Sequence, residues 1–185
     1  KPQSFGILNH GIDFNITEIS MIRHFINIIL YFLPPSRLFR LRRFLLRFAG
    51  VSLANTASFC GRGWIYGRGI LEIADNTWLS PGSLFYTHND AKISIGSRCD
   101  IGPDVSFVIG SHLIGSSYRR AGKGIANSIV IGDGTWIGSG VTVLDGVTIG
   151  SGCMVAAGSI VHRNIEDNCL VAGVPAKVKR RLDMV

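Results

Sequence analysis

The residues able to do chemistry are few: five histidines, four cysteines and a basic, glycine-rich stretch in the middle of the chain. His112 stands in that stretch, Gly110-Ser-His-Leu-Ile-Gly-Ser-Ser-Tyr-Arg-Arg-Ala-Gly-Lys-Gly-Ile-Ala-Asn-Ser128. An imidazole with a pKa near its unperturbed value of about 6.5 can take a proton from a hydroxyl at neutral pH. By residue type alone, a lone loop histidine fits a solvated surface position equally well. Arg119, Arg120 and Lys123 in the same stretch suit an anionic ligand, or simply a charged loop tip. Cys60, Cys99, Cys153 and Cys169 are too few and too scattered for a disulfide scaffold, and none forms a CxxC metal motif. They suit a reducing compartment, which points to a cytoplasmic location.

What must position these residues is a repeat of six. From Ile131, aliphatic residues fall at 131, 137, 143, 149, 155 and 161 without a slip. Ile131, Ile137, Ile149 and Val155 are each followed by Gly or Ala, and four positions on comes another small or β-branched residue, such as Thr135, Val141 or Cys153. The same beat appears at Ile95, Ile101 and Phe107, and more loosely at Ile73, Leu79 and Phe85. A period of six fits neither a helix of 3.6 residues per turn nor a long alternating strand. It fits short strands joined by turns, three to a coil, each turning one aliphatic side chain inward: a parallel β-helix. By this pattern Cys99 and Cys153 belong to the core. The beat breaks twice, between Phe85 and Ile95 and between Phe107 and Ile131. The second break, residues 110–128, reads as a loop thrown out of the coil, and such insertions commonly carry function.

The composition agrees. Apolar residues make up 46% and charged residues 17%, which excludes a disordered chain. The 23 glycines follow no Gly-x-y period, so they serve turns rather than a collagen helix. The most apolar stretch, Ile22 to Leu33, is shorter than the roughly 18–20 residues of a spanning helix and lacks a signal-peptide cleavage site. The net charge is +7, and residues 36–50 alone carry five arginines and no acid. No aromatic–basic interleaving or nucleic-acid-binding motif accompanies that charge, so no nucleic-acid partner is expected. Helices are predicted over 21–33 and 36–49, split by Pro34-Pro35. In the second, Leu38, Leu41, Leu45 and Phe48 share one face while Arg40, Arg43 and Arg47 share another. That helix suits covering the open end of the coil, and in addition a peripheral contact with an anionic membrane. The expected organisation is a tail with amphipathic helices over 1–50, the β-helix over 51–172, and a cap over 173–185 that includes a short helix from Ala176 to Met184.

Residues 73–181 resemble the hexapeptide-repeat acyltransferases, an all-β family with a left-handed parallel β-helix. The branch in view contains galactoside and maltose acetyltransferases, xenobiotic acetyltransferases and the O-acetyltransferases of bacterial surface polysaccharides. The motifs that carry the resemblance are Ile131-Gly-Asp-Gly-Thr-Trp-Ile-Gly-Ser139, Val155-Ala-Ala-Gly-Ser159 and Ala172-Gly-Val-Pro-Ala176. The resemblance implies a homotrimer, active sites at subunit junctions, acetyl-CoA as donor and no metal. It implies that His112 is the general base and that the Ser139 amide lies near the thioester. Ala157 and Gly158 would line the pantetheine arm, with Trp136 and His162 beside the coenzyme channel and Lys177 and Arg180 near the nucleotide phosphates. His88, Asn89 and Asp90, with Arg119 and Arg120, are the expected acceptor side. The Asn-x-Asn pair of galactoside-type enzymes is replaced here by Ser80-Pro81-Gly82.

The implied reaction is O-acetylation of a sugar hydroxyl in surface polysaccharide, lipopolysaccharide or capsule synthesis. The acceptor would be a free or lipid-linked sugar, handled in the cytoplasm or at the inner face of its membrane. Two other readings stand beside it: acetylation of an antibiotic hydroxyl, and a β-helix kept only as a scaffold. A zinc site like that of the γ-class carbonic anhydrases would need an HxxxxH pair, which the sequence lacks.

Overall fold

A computed structural model describes residues 16–183, with side chains from residue 19 onward. Residues 1–15, His10 among them, and Met184 lie outside the described residues. The repeat of six becomes a three-sided coil of short parallel strands, the left-handed β-helix expected from the sequence. The first sheet stacks Ser52–Leu53, Ile70–Ile73, Lys92–Ile95, Ile129–Ile131 and Thr148–Ile149. The second stacks Ser58–Phe59, Trp78–Leu79, Asp100–Ile101, Trp136–Ile137, Met154–Val155 and Cys169–Ala172. The third stacks Trp64–Tyr66, Leu84–Tyr86, Ser106–Val108, Thr142–Leu144 and Ile160–Val161.

Register holds the inward residues in columns. Leu53, Ile73, Ile95, Ile131 and Ile149 pair in sequence along the first sheet. Ile65, Phe85, Phe107, Val143 and Val161 do so along the third, where the Phe85 and Phe107 rings stack at 5.2 Å. All of these side chains are buried, and each contributes about 1.5–3 kcal/mol relative to exposure. One full coil, that of Leu53, Phe59 and Ile65, precedes the first beat read from the sequence. A corner column of Ala57, Thr77, Cys99, Thr135, Cys153 and Cys169 is also buried. There Thr77 Oγ1 donates to the Gly96 carbonyl at 2.6 Å and accepts from the Cys99 amide at 3.1 Å, tying coils together. Burial pushes the Cys60, Cys99 and Cys153 thiols up, which fits packing rather than nucleophilic chemistry.

Two helices close the first coil: α1, Ile16–Phe32, and α2, Phe39–Phe48. Ile26, Leu30, Leu46 and Ala49 join the core. The first coil presents unpaired backbone groups to this cap, and the cap answers with donors. Arg47 donates to the Leu53 carbonyl, Arg43 to that of Ala57, and Arg23 to those of Gly67 and Gly69. Asn27 both donates to and accepts from Ile65, as a neighbouring strand would. The two helices also cap each other. Arg42 of α2 donates to the Leu30, Leu33 and Pro34 carbonyls at the end of α1. Arg23 of α1 donates at 2.9 Å to Ala49, the C-cap of α2. A helix end leaves its last carbonyls without partners and carries partial negative charge, so a guanidinium satisfies both needs. Gly61 sits at φ +98° against Arg42, and a Cβ there would collide with the guanidinium.

The other end departs from expectation. The helix predicted over Ala176–Met184 is not formed: Lys177–Arg181 is a strand, paired antiparallel with Cys169–Ala172. The last strand of the second sheet would otherwise show a bare edge, and a strand supplies the ladder bonds that a helix cannot. The inserted residues 110–128 are also more ordered than a loop, forming an antiparallel hairpin of Gly110–Ile114 with Ala121–Ala126.

Arg42 is fully buried, and among the described residues no carboxylate pairs with it. Arg42→Met is therefore expected to lower unfolding free energy in urea titrations by about 1–3 kcal/mol for each buried carbonyl left without a donor. Arg40→Met, on the exposed face of the same helix, should stay within about 0.5 kcal/mol of the parent.

Candidate active site

The breaks in the beat fall at one corner. The connections from the third sheet back to the first are residues 67–69, 87–91 and 109–128 in successive coils, and the second and third of these are longer than a plain turn. His88 rides on the second and His112 on the third. Between them lies a cleft of about 380 Å³, lined by Tyr86, Thr87, His88, Val108, His112 and Ile125 among others. The Tyr86 ring is stacked on Tyr66 at 4.8 Å, which extends an aromatic wall from the cleft.

The hairpin pairs His112 with Gly124, and its register shifts between His112 and Ile114. This bulge brings the His112 Nδ1 to 3.0 Å from the Gly122 carbonyl. A carbonyl can only accept, so the neutral ring carries its proton on Nδ1 and leaves a lone pair on Nε2. The His88 Nδ1 lies 3.3 Å from the Asp90 amide nitrogen and 3.5 Å from Asp90 Oδ2. One cleft thus holds two imidazoles, of which His112 is arranged to accept a proton on Nε2.

The His88 turn is fixed from below. Thr87 Oγ1 donates to the Tyr66 carbonyl at 2.7 Å and accepts from the Gly69 amide at 3.0 Å, with Arg23 Nη1 at 3.3 Å. Gly69 has to be glycine, because a Cβ there would lie 2.6 Å from the His88 amide nitrogen. Sequence reading missed Arg23, Thr87 and the Gly122 carbonyl as parts of the site. The glycines at 67, 69, 122 and 124 were the only hint of how closely the backbones meet.

Of the expected acceptor residues, only His88 lines the cleft. Asn89 and Asp90 are exposed beside it, and Arg119 and Arg120 lie at the hairpin tip, where Arg120 bonds the Gly115 carbonyl. The expected coenzyme residues gather elsewhere. Trp136 points outward, 52% exposed, on the second sheet, in register through Met154 and Leu170 with Arg180. Lys177 pairs with Ala172 nearby. Ser139, Ala157 and Gly158 share the corner between the second and third sheets, where the Gly158 amide donates to the Ser139 carbonyl at 2.8 Å. Among the described residues, neither the Ser139 amide nor the Ala157 amide donates a hydrogen bond. His162 is separate: it follows Val161, at the border of the third sheet that leads to the His112 corner.

The third sheet therefore divides the expected site. Ser139 precedes its strands and His112 follows them, so one chain does not bring the two groups together. A larger groove of about 600 Å³ runs along the first sheet. Its acids, Glu72 and Asp133, are paired with Lys92 and Arg98, and it contains no histidine. Among the described residues no three His, Cys, Asp or Glu side chains cluster to hold a metal ion. The tautomer inferred for His112 can be checked directly. At a pH where the ring is neutral, its ¹⁵N resonances should show a protonated Nδ1 and a bare Nε2.

Comparison with known proteins bears on the repeat and the fold. The family described as bacterial transferase hexapeptide (six repeats) matches residues 128–163. Galactoside O-acetyltransferase of Escherichia coli K12 is 32% identical over 60% of the chain and 64% of its own length. Galactoside O-acetyltransferase of Lactococcus lactis is 31% identical over 69% of the chain and 57% of its own length. The chain thus spans less than two thirds of these relatives. A hexapeptide-repeat acetyltransferase of Vibrio cholerae, solved with acetyl coenzyme A, is 28% identical and superposes with a TM-score of 0.71 over 91% of this chain and 90% of that one. The chain carries the hexapeptide repeat of the bacterial transferases on the fold of the hexapeptide-repeat acetyltransferases, and in sequence it is similar to the galactoside O-acetyltransferases.

Proposed function

We propose that this protein is an acetyl-CoA-dependent O-acetyltransferase acting on a sugar hydroxyl, with His112 as its general base. One observation carries the reading: the Gly122 carbonyl holds the His112 ring with Nε2 bare and turned to proton acceptance. His112 Nε2 takes the proton of the acceptor hydroxyl as its oxygen forms a bond to the thioester carbonyl carbon. The carbonyl electron pair moves onto oxygen, where the uncommitted Ser139 amide meets the developing negative charge. As the tetrahedral centre collapses, the carbon–sulfur bond breaks, and the imidazolium returns its proton to the thiolate. The products are the acetyl ester and free coenzyme A, with no covalent enzyme intermediate. In this reading His88 hydrogen-bonds a hydroxyl of the acceptor, and Tyr86 packs against a sugar face.

The active unit is a homotrimer, in which His112 of one subunit meets Ser139, Ala157 and Gly158 of the next. The separation of these residues by the third sheet supports this reading. So does the hairpin tip, where Ile114 and Tyr118 are 90% and 98% exposed and apolar enough to need a cover. Trp136, Lys177 and Arg180 lie on the coenzyme side of the same arrangement. The acceptor class proposed is a sugar bound for a surface polysaccharide.

Thiol release from acetyl-CoA over a panel of sugar acceptors tests the reaction. His112→Ala should lower kcat by about 10²–10⁴-fold, and near-parental turnover would end the proposal. Mixing inactive His112→Ala protein with inactive Ala157→Trp protein, after dissociation and reassembly, should restore partial activity. No recovery would place both groups of residues in separate sites.

A further inference from the structure

The helical cap also has an outward side whose apolar side chains the capping bonds do not use. On α1, Ile26 and Leu30 face the core, while Met21, Phe25, Ile29 and Phe32 form an opposite stripe that is 46–80% exposed. A helix that is apolar on both sides is one that something else covers. On α2, Phe44 and Phe48, 66% and 48% exposed, line a groove of about 490 Å³ with Arg40, Arg43, Arg47 and Asn55. Arg43 and Arg47 bond neutral carbonyls, so their full charge remains, and Arg40 takes no part in those bonds.

The charge of the whole chain is concentrated here. From Ile19 to Leu71 there are eight arginines, no lysine and no acid. Residues 72–185 hold ten basic and ten acidic groups and are neutral. We propose that the α1–α2 cap docks on an anionic phospholipid surface, with headgroup phosphates in the arginine groove and the exposed Phe side chains in the acyl boundary. A bilayer of this kind offers negative charge and hydrocarbon together, which matches both halves of the surface. A second copy meeting this face would set Arg40, Arg43 and Arg47 against the same three cations. A nucleic acid offers phosphates but no apolar layer for the Met21–Phe32 stripe. Arginine suits the role, since its planar fork meets phosphate oxygens in pairs.

Co-sedimentation of the full chain with phosphatidylglycerol-containing vesicles, compared with pure phosphatidylcholine vesicles, tests the proposal. Binding to the anionic vesicles alone, weakening as salt is raised, is expected. Arg40→Glu should reduce that binding by at least the roughly fivefold that one basic residue contributes. Phe44→Ser should reduce it further at high salt. Both variants should keep the parental circular dichroism, oligomeric state and acetyl transfer to a soluble acceptor, so the outcome is separate from that of the proposed reaction. Absence of binding, or unchanged binding by both variants, would overturn the proposal. A changed oligomeric state in Phe44→Ser would overturn it too, in favour of a second copy. Tighter binding to a DNA duplex than to the vesicles would assign the groove to nucleic acid instead.

Discussion

A single coil of this protein cannot bury anything by itself. Each strand contributes one inward side chain, and that side chain is covered only when the coils above and below supply theirs in register. The columns from Leu53 to Ile149 and from Ile65 to Val161 are the result. Because the core is one-dimensional, every irregularity must leave the stack sideways, at a corner, and every end must be closed by something other than a coil.

The closures follow from backbone chemistry. A strand edge exposes both donors and acceptors, and the two ends of the molecule meet this demand differently. At the last coil, Lys177–Arg181 adds an antiparallel strand. At the first coil the neighbours are helices, whose own backbones are committed, so side chains do the work. Arginine recurs because the open positions are carbonyls, and a guanidinium offers several donors and no acceptor. The exchange of Arg23 and Arg42 between helix ends locks the cap through backbone carbonyls. Residues 19–71, the cap with the first coil, thus carry eight arginines and no acid, while residues 72–185 are neutral.

The site follows from the same rule. Extra residues at the corner between the third and first sheets stack coil upon coil, and the space between two of these excursions is the cleft of His88 and His112. The regular corner between the second and third sheets keeps its turns tight and holds Ser139 with Ala157 and Gly158. The width of a sheet separates an irregular corner from a regular one within one protomer. In the trimer proposed above, a neighbour around the threefold axis brings one against the other.

The coil, its period and its two breaks were legible in the sequence because inward residues are dictated one at a time by burial. Ile131, Ile137 and Val143 announce the pattern without reference to anything distant. The candidate base, His112, was singled out by the family resemblance, and it falls inside the longest break. What the sequence left open depends on partners far apart in the chain. The terminal strand was read as a helix because its five residues carry no inward pattern, and only the bare edge of Cys169–Ala172 decides their form. Arg23 and Arg42 look like surface charges until the fold sets helix ends and strand carbonyls around them. The tautomer of His112 rests on one carbonyl across a hairpin bulge, and that contact exists only once the two arms are paired. Local burial fixed the period; long-range hydrogen bonding between groups of unrelated position fixed the caps and the proton on the ring.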